Sequence, residues 1–407
     1  MAVGLNAVLP PLFPVAGIRL GAVPAGLKKD GEDDLVLVEI APGSHAAAVF
    51  TRNAFCAAPV TVARRHLGES RPRFLLINSG NANAGTGASG IQAAVRCCTL
   101  LAEQQNCRPE EVLPFSTGVI GEPLAVGAFQ EAFPRLCTGL DEAGWLSAAR
   151  GIMTTDTVPK AFSERVEIAG QMVTLTGICK GAGMIHPDMA TMLAFIATDA
   201  ALAPEILQHC LQQAVDQSFH CISVDGDTST NDACVLLATG RSGLPVIDEL
   251  GSQAEAQFSS VLTALCRRLA QSIVRDGEGA TKFITIEVSQ GRTVAECRQV
   301  AFTVADSPLV KTAFFASDPN WGRILAAIGR CGLEDFAIGQ VNIFLGEVCI
   351  VRQGERAADY SEAAGIQVMR RPEIMVRIEL GRGPETVQVW SCDLSYEYVR
   401  INAEYRT

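Results

Sequence analysis

Apolar and polar positions change period many times along the 407-residue chain. Asp34–Ile40 and Arg73–Ile77 are short, nearly continuous apolar runs and predict strands. Gln92–Glu103 repeats Val95, Cys98 and Leu101 at helical spacing and predicts a helix. Val173–Cys179 and Met192–Thr198 predict strands that flank a Gly-rich segment. Pro204–Ser218 predicts a helix with Pro204 at its first position and Ile206, Leu207, Cys210, Leu211 and Val215 on one face. Asp232–Thr239 predicts a strand. Ala254–Asp276 predicts a long amphipathic helix through Phe258, Val261, Leu265, Leu269 and Ile273, and Phe283–Val288 another strand.

At Ser289–Thr293 the pattern resets in a polar, Gly-containing turn, and a domain boundary is expected near it. Beyond it, helix-like stretches at 301–316 and 321–330 precede strands near 341–350, 374–380 and 386–391. The mixture predicts a layered fold of helices and sheets, with no internal repeat.

Composition narrows the classes. Apolar residues make up 48% of the chain, enough for a large core, and charged residues 19% without a long single-sign run. A net charge of −11 lacks the basic footprint of a nucleic-acid binder. The apolar N-terminal stretch is broken by Pro10, Pro11 and Pro14 and lacks a basic start, so neither a secretion signal nor a membrane anchor is expected. None of the 14 cysteines forms a Cys-x-x-Cys pair, and many sit in apolar runs, as Cys210, Cys234 and Cys349 do. They read as reduced, core-packing thiols in a cytoplasmic protein. The five histidines show no metal spacing, so no metal or other cofactor is expected.

The most unusual segment is Gly177–Ala200. Gly181 and Gly183 follow Lys180, Pro187 interrupts regular structure, and small Ala190 precedes Thr191 at the start of an apolar run. A threonine placed after such a loop can attack its own preceding carbonyl. The cut then frees an α-amino group beside the hydroxyl, and with a pKa of about 7.7–8.0 that amine can act as general base. By itself, a threonine that opens a strand is ordinary sheet chemistry. Phe115–Gly121 places hydroxyls next to glycine after an apolar run and can supply oxyanion donors, or simply form a turn. Met153–Lys160, Ile222–Asp232 and Arg275–Lys282 are further polar turns. Asp225 and Asp227 stand at alternate positions, with Asp232 further on, and hint at calcium, but the closing Glu is missing. Asn78–Gly87 joins a strand to a helix as an anion-binding loop would, without a Lys-Ser/Thr ending.

Taken in order, STGVIG, MTTDT, KGAGMIHPDMATML, SVDGDTSTND, DGEGATK and SDPNWGRI resemble the glutamate N-acetyltransferase/ornithine acetyltransferase family of arginine biosynthesis. The resemblance in effect covers the whole chain. It implies an α+β protein with an αββα sandwich-like core of the N-terminal-nucleophile type over residues 1–285. A smaller α+β domain over 286–407 would return its tail to the active site. It implies self-cleavage between Ala190 and Thr191, giving an α chain 1–190 and a β chain 191–407 that assemble as α2β2. It also implies ping-pong transfer of acetyl from N-acetylornithine to glutamate through acetyl-Thr191. Thr117 and Gly118 would stabilise the oxyanion, and Thr154, Lys180, Thr191, Glu278, Asn402 and Thr407 would contact substrate, with Thr155 competing for the role of Thr154. Whether acetyl-CoA also donates stays open, because the acyl-enzyme is the same either way. Gly85 and Asp188 depart from the family pattern, and Asp188 adds a charge three residues before the nucleophile. The competing readings are a self-cleaving aminopeptidase or amidohydrolase of related architecture, and a nucleotide-binding protein in which the glycine loops are only turns.

Overall fold

The computed structural model describes residues 2–5, 9–28, 31–186 and 192–404. Contacts divide the chain into two compact units. The larger comprises 6–220 and 227–273, and the smaller comprises 1–5, 221–226 and 274–407.

The larger unit contains two sheets. One has the order β1-β2-β4-β5: β1 (Ile18–Val23), β2 (Leu35–Ile40), β4 (Phe74–Asn78) and β5 (Val112–Ser116). The other has the order β3-β9-β8-β7-β6: β3 (His45–Phe50), β6 (Lys160–Ile168), β7 (Gln171–Lys180), β8 (Leu193–Thr198) and β9 (Ala233–Ala238). Strand alternation fixes the layers. Val36, Val38, Leu75, Ile77, Leu113 and Phe115 meet Ile178, Leu193, Phe195, Ala197, Val235 and Leu237 in one inter-sheet core. Leu35, Leu37, Phe74 and Leu76 point the other way, against α1 (Ala58–Glu69), α2 (Gly87–Gln105) and α3 (Val126–Thr138). A short α4 (Trp145–Gly151) adds Trp145 and Ala148 to the inter-sheet core. Behind the second sheet lie α5 (Pro204–Asp216), against β3 and β9, and α6 (Gln253–Arg275). Gly177 of β7 leaves room there for Leu269 of α6. The order is helix, sheet, sheet, helix.

Every strand of this unit that the apolar runs predict is present within a residue or two. The reason is that all six positions of β8 and of β9 are buried, so each strand reads as an unbroken apolar run.

The smaller unit is built on a six-stranded sheet of order β13-β12-β11-β14-β10-β15: β10 (Phe283–Gly291), β11 (Asn342–Leu345), β12 (Val348–Arg352), β13 (Glu355–Arg356), β14 (Glu373–Glu379) and β15 (Glu385–Cys392). α7 (Val294–Ala305) covers β10 and β15, and α8 (Pro308–Phe315), α9 (Trp321–Gly329), α10 (Glu362–Met369) and α11 (Tyr396–Glu404) complete it. Two expectations change here. The single helical stretch 301–316 is two helices, because Pro308 lacks the N–H that would continue α7 and instead opens α8. The stretch 341–350 is a hairpin, β11 turning into β12 at Gly346. The expected division at 285/286 would cut β10, which pairs along its length with β14 and β15. The smaller unit therefore takes β10 whole. It also gathers Val3, whose N–H donates to the Arg275 carbonyl, and Ile222, which bridges to Trp390.

Candidate active site

Ala190, Thr191, Asp188 and Thr407 lie outside the described residues. The remaining candidates of the larger unit, Thr117, Gly118, Thr154 and Lys180, come together at strand ends.

Lys180 ends β7 and is buried. Its Nζ donates to Thr154 Oγ1 at 2.8 Å and to Thr117 Oγ1 at 3.3 Å. Because the ammonium supplies the proton of each contact, the Thr117 hydroxyl hydrogen is left to donate elsewhere. The Thr155 hydroxyl makes no hydrogen bond among the described residues, so of the two adjacent threonines Thr154 faces the lysine.

Thr117 and Gly118 follow β5. The Thr117 N–H is taken by the Asn78 carbonyl at 2.9 Å, and the Val119 N–H by the Gly80 carbonyl at 3.2 Å. The Gly118 N–H between them has no acceptor among the described residues. Gly118 has φ +134, and a Cβ there would collide with the Gly80–Asn81 peptide. Backbone and side chain thus offer one free N–H and one hydroxyl donor at adjacent residues. That is the donor set an oxyanion requires.

The loop Asn78–Gly87 supports this corner and spends its polar groups internally. Asn78 donates to the Asn81 carbonyl and accepts from Ser116 Oγ at 2.6 Å, and Asn83 donates to the Gly90 carbonyl. From the other side Asn231 Nδ2 donates to the carbonyls of Ala82 (2.7 Å) and Ser116 (2.9 Å). The side-chain amides of the loop are thus committed to holding its own backbone.

Two groups that sequence reasoning did not single out hold the lysine end. Asp156 Oδ1 accepts from Lys160 Nζ at 2.6 Å, with both side chains fully buried, and from the Gly181 N–H at 2.7 Å. Its Oδ2 accepts the Thr154 N–H at 3.0 Å. Burial opposes ionisation of this carboxyl, but the ammonium groups of Lys160 and Lys180 overcome it and hold Asp156 well below the usual carboxylate range. Gly181 adopts φ +151, which a glycine accepts at little cost. The i,i+4 Asp156–Lys160 spacing was the available signal.

Asp232 lies just before β9. Its Oδ1 accepts the Met192 N–H at 2.9 Å, and its Oδ2 is buried with no partner among the described residues. Burial pushes this carboxyl well above its ordinary range. Asp232 turns to Met192, while Asp225 accepts from Tyr398 Oη at 3.2 Å in the smaller unit.

Glu278 and Asn402 both belong to the smaller unit. Asn402 Nδ2 donates to Glu278 Oε2 at 2.7 Å and to the Tyr398 carbonyl at 3.0 Å, which ties α11 to the turn after α6. The second carboxylate oxygen of Glu278 has no hydrogen-bond partner among the described residues and can accept from a further donor.

The chain's relatives agree with one another. The model of the ArgJ family matches residues 19–407. The arginine biosynthesis bifunctional protein ArgJ of Methylococcus capsulatus is 59% identical over 396 residues, 97% of either chain. The protein of the same name from Pseudomonas fluorescens is 53% identical over 407 residues, all of both chains. Among solved structures, that of the arginine biosynthesis bifunctional protein argJ from Bacillus halodurans is 38% identical. It aligns with a TM-score of 0.49 over 51% of this chain and 96% of that one. The ornithine acetyltransferase of Mycobacterium tuberculosis, solved with ornithine, is 34% identical with a TM-score of 0.38, over 43% of this chain and 92% of that one.

Proposed function

The chain belongs to the ArgJ family, and from that premise we propose that it is a self-cleaving N-acetyltransferase of arginine biosynthesis whose nucleophile is Thr191. The observation that carries the reading is the pair of unspent donors at Thr117 Oγ1 and Gly118 N–H, braced by Lys180.

In the maturation step, Thr191 Oγ attacks the Ala190 carbonyl carbon. The C–O bond forms, the C–N bond breaks, and the hydroxyl proton passes to the departing α-amine. Water then hydrolyses the ester, leaving the Ala190 carboxylate and a free Thr191 with both hydroxyl and amine. In the transfer step, the α-amine takes the hydroxyl proton while Oγ attacks the acetyl carbon of N-acetylornithine. The Thr117 hydroxyl and Gly118 N–H receive the oxyanion. The α-ammonium returns the proton to the leaving nitrogen, ornithine departs, and acetyl remains on Oγ. The glutamate amine reverses these steps and leaves as N-acetylglutamate. Lys180 carries the positive charge suited to an α-carboxylate, and Glu278 the negative charge suited to an ammonium. Asn402, which holds Glu278 at 2.7 Å, and Thr154 are the further substrate contacts, with Thr407 as the residue implied at the chain end.

The cut would fall between β7 and β8, which pair antiparallel from Lys180↔Leu193 to Leu175↔Thr198. β8 in turn pairs with β9. The β chain would then begin as an inner strand of a sheet that the α chain also builds. Such chains stay together, which supports the αβ association within the α2β2 cytoplasmic particle that the resemblance implies. The word bifunctional in the names of both full-length relatives supports acetyl-CoA as a second acetyl donor to the same threonine. The reading is tested by incubating the purified protein with N-acetylornithine and glutamate. Ornithine and N-acetylglutamate should appear in equal amounts. Ornithine released with free acetate instead would convert the reading to a hydrolase.

A further inference from the structure

Residue 191 would become a chain terminus once the bond before it is cut, and termini fray unless something ties them. The next residue is tied on both sides. The Met192 carbonyl accepts the Ala233 N–H at 3.2 Å, which continues the parallel β8–β9 ladder. The Met192 N–H lies where the backbone ladder has ended, and it goes to the side chain of Asp232 at 2.9 Å. Asp232 is itself anchored: its carbonyl accepts the Thr51 N–H at 3.0 Å.

The chemistry of that carboxyl is unusual. Oδ2 is buried with no hydrogen-bond partner among the described residues; the Lys180 ammonium and the Ser229 hydroxyl favour the charged form, and burial outweighs both. A carboxylate in that state would leave a charged oxygen unsolvated, at a far higher cost than a neutral acid. The direction of its titration, set by burial, is the same. Asp232 is also outside the set of groups that the transfer reaction uses.

We infer that Asp232 is a positioning residue of the nucleophile: acting as an uncharged acceptor, its carboxyl clamps the Met192 peptide and so fixes the carbonyl side of Thr191. The inference rests on the assignment of Thr191 as nucleophile. A clamp at this point acts on catalysis because displacing a reacting group by about 1 Å can cost about 10²-fold in rate. It acts on kcat more than on substrate binding, since the hydrogen bond that Asp232 accepts comes from the Met192 N–H and not from a proposed substrate contact, and a neutral carboxyl adds no charge beside Lys180.

The test compares Asp232→Asn and Asp232→Ala with the wild type in three readings: amide hydrogen exchange at residue 192, rate of self-cleavage, and kcat with KM for N-acetylornithine. Asn preserves a neutral acceptor of the same shape. It should keep exchange protection, cleavage and kcat within roughly threefold of wild type, with an unmoved pH profile. Ala should lose protection at residue 192 and lower kcat on the order of 10²-fold with KM unchanged. If Asp232→Ala does not fold, Asp232→Ser, too short to reach the amide, takes its place. An Asn variant as slow as Ala would show that a charged carboxylate is required, and would overturn the clamp. So would an Ala variant with wild-type kcat and protection. A wild type that stays uncut and inactive would instead strike the proposed function, while exchange at residue 192 would still decide whether the carboxyl holds that amide.

Discussion

The ammonium of Lys180 donates to the hydroxyl oxygen of Thr117 across 3.3 Å, linking the end of β7 to the turn that follows β5. This contact leaves the Thr117 hydrogen to donate elsewhere, next to a Gly118 N–H that has no acceptor among the described residues. Thr117→Ala should therefore lower kcat by about 10²–10³ with a small change in KM. Thr117→Ser, which keeps the hydroxyl, should recover most of the rate. Steady-state kinetics on N-acetylornithine checks both.

Asp156 and Lys160 form a buried ion pair, so removing one partner strands the other. Asp156→Ala should cost about 3–5 kcal/mol, measured by denaturant unfolding. The native carboxyl is held below its unfolded value. Its contribution is therefore complete above the unfolded pKa and is lost as pH falls through the native one. Acid should narrow the gap between Asp156→Ala and wild type.

Asp232 carries the opposite sign. Its native carboxyl is raised above its unfolded value, so the native state holds a proton the unfolded chain has released. Stability lost through this group grows as pH rises above about 4, the ordinary Asp value, by up to about 1.4 kcal/mol per pH unit until the native group ionises. Asp232→Asn removes that slope. Thermal midpoints of variant and wild type should diverge in favour of the variant as pH rises from about 5 to about 8.

Glu278 should matter for one substrate end. If its free oxygen takes an ammonium, Glu278→Gln raises KM for N-acetylornithine, by about tenfold for a lost charge-assisted bond of about 1.5 kcal/mol. A changed kcat with constant KM would place Glu278 elsewhere in the reaction.

Much of this was legible locally. β8 and β9 announce themselves as fully apolar runs, and α5 by its starting proline and apolar face. The break between α7 and α8 was also present in the sequence, at Pro308, although a helical period across 301–316 conceals it. The Thr117, Lys180 and Thr154 cluster was not local: it depends on three segments more than 20 residues apart meeting at strand ends. Ordered motifs named these residues, but only the sheet brings them together. The role of Asp232 is hidden for the same reason: its segment reads as a polar turn, whereas the parallel pairing of β8 with β9 gives it Met192, 40 residues away. The smaller unit likewise collects Val3 and Ile222 through pairings that no local pattern contains.

Every proposed step depends on the chain cutting itself before Thr191, and intact-mass measurement of the purified protein reads that cut. Two chains are expected, one ending at Ala190 and the other beginning with Thr191, and Thr191→Ala should yield a single uncut, inactive chain. A fully active preparation consisting of one full-length chain would rule out self-cleavage as the source of the nucleophile.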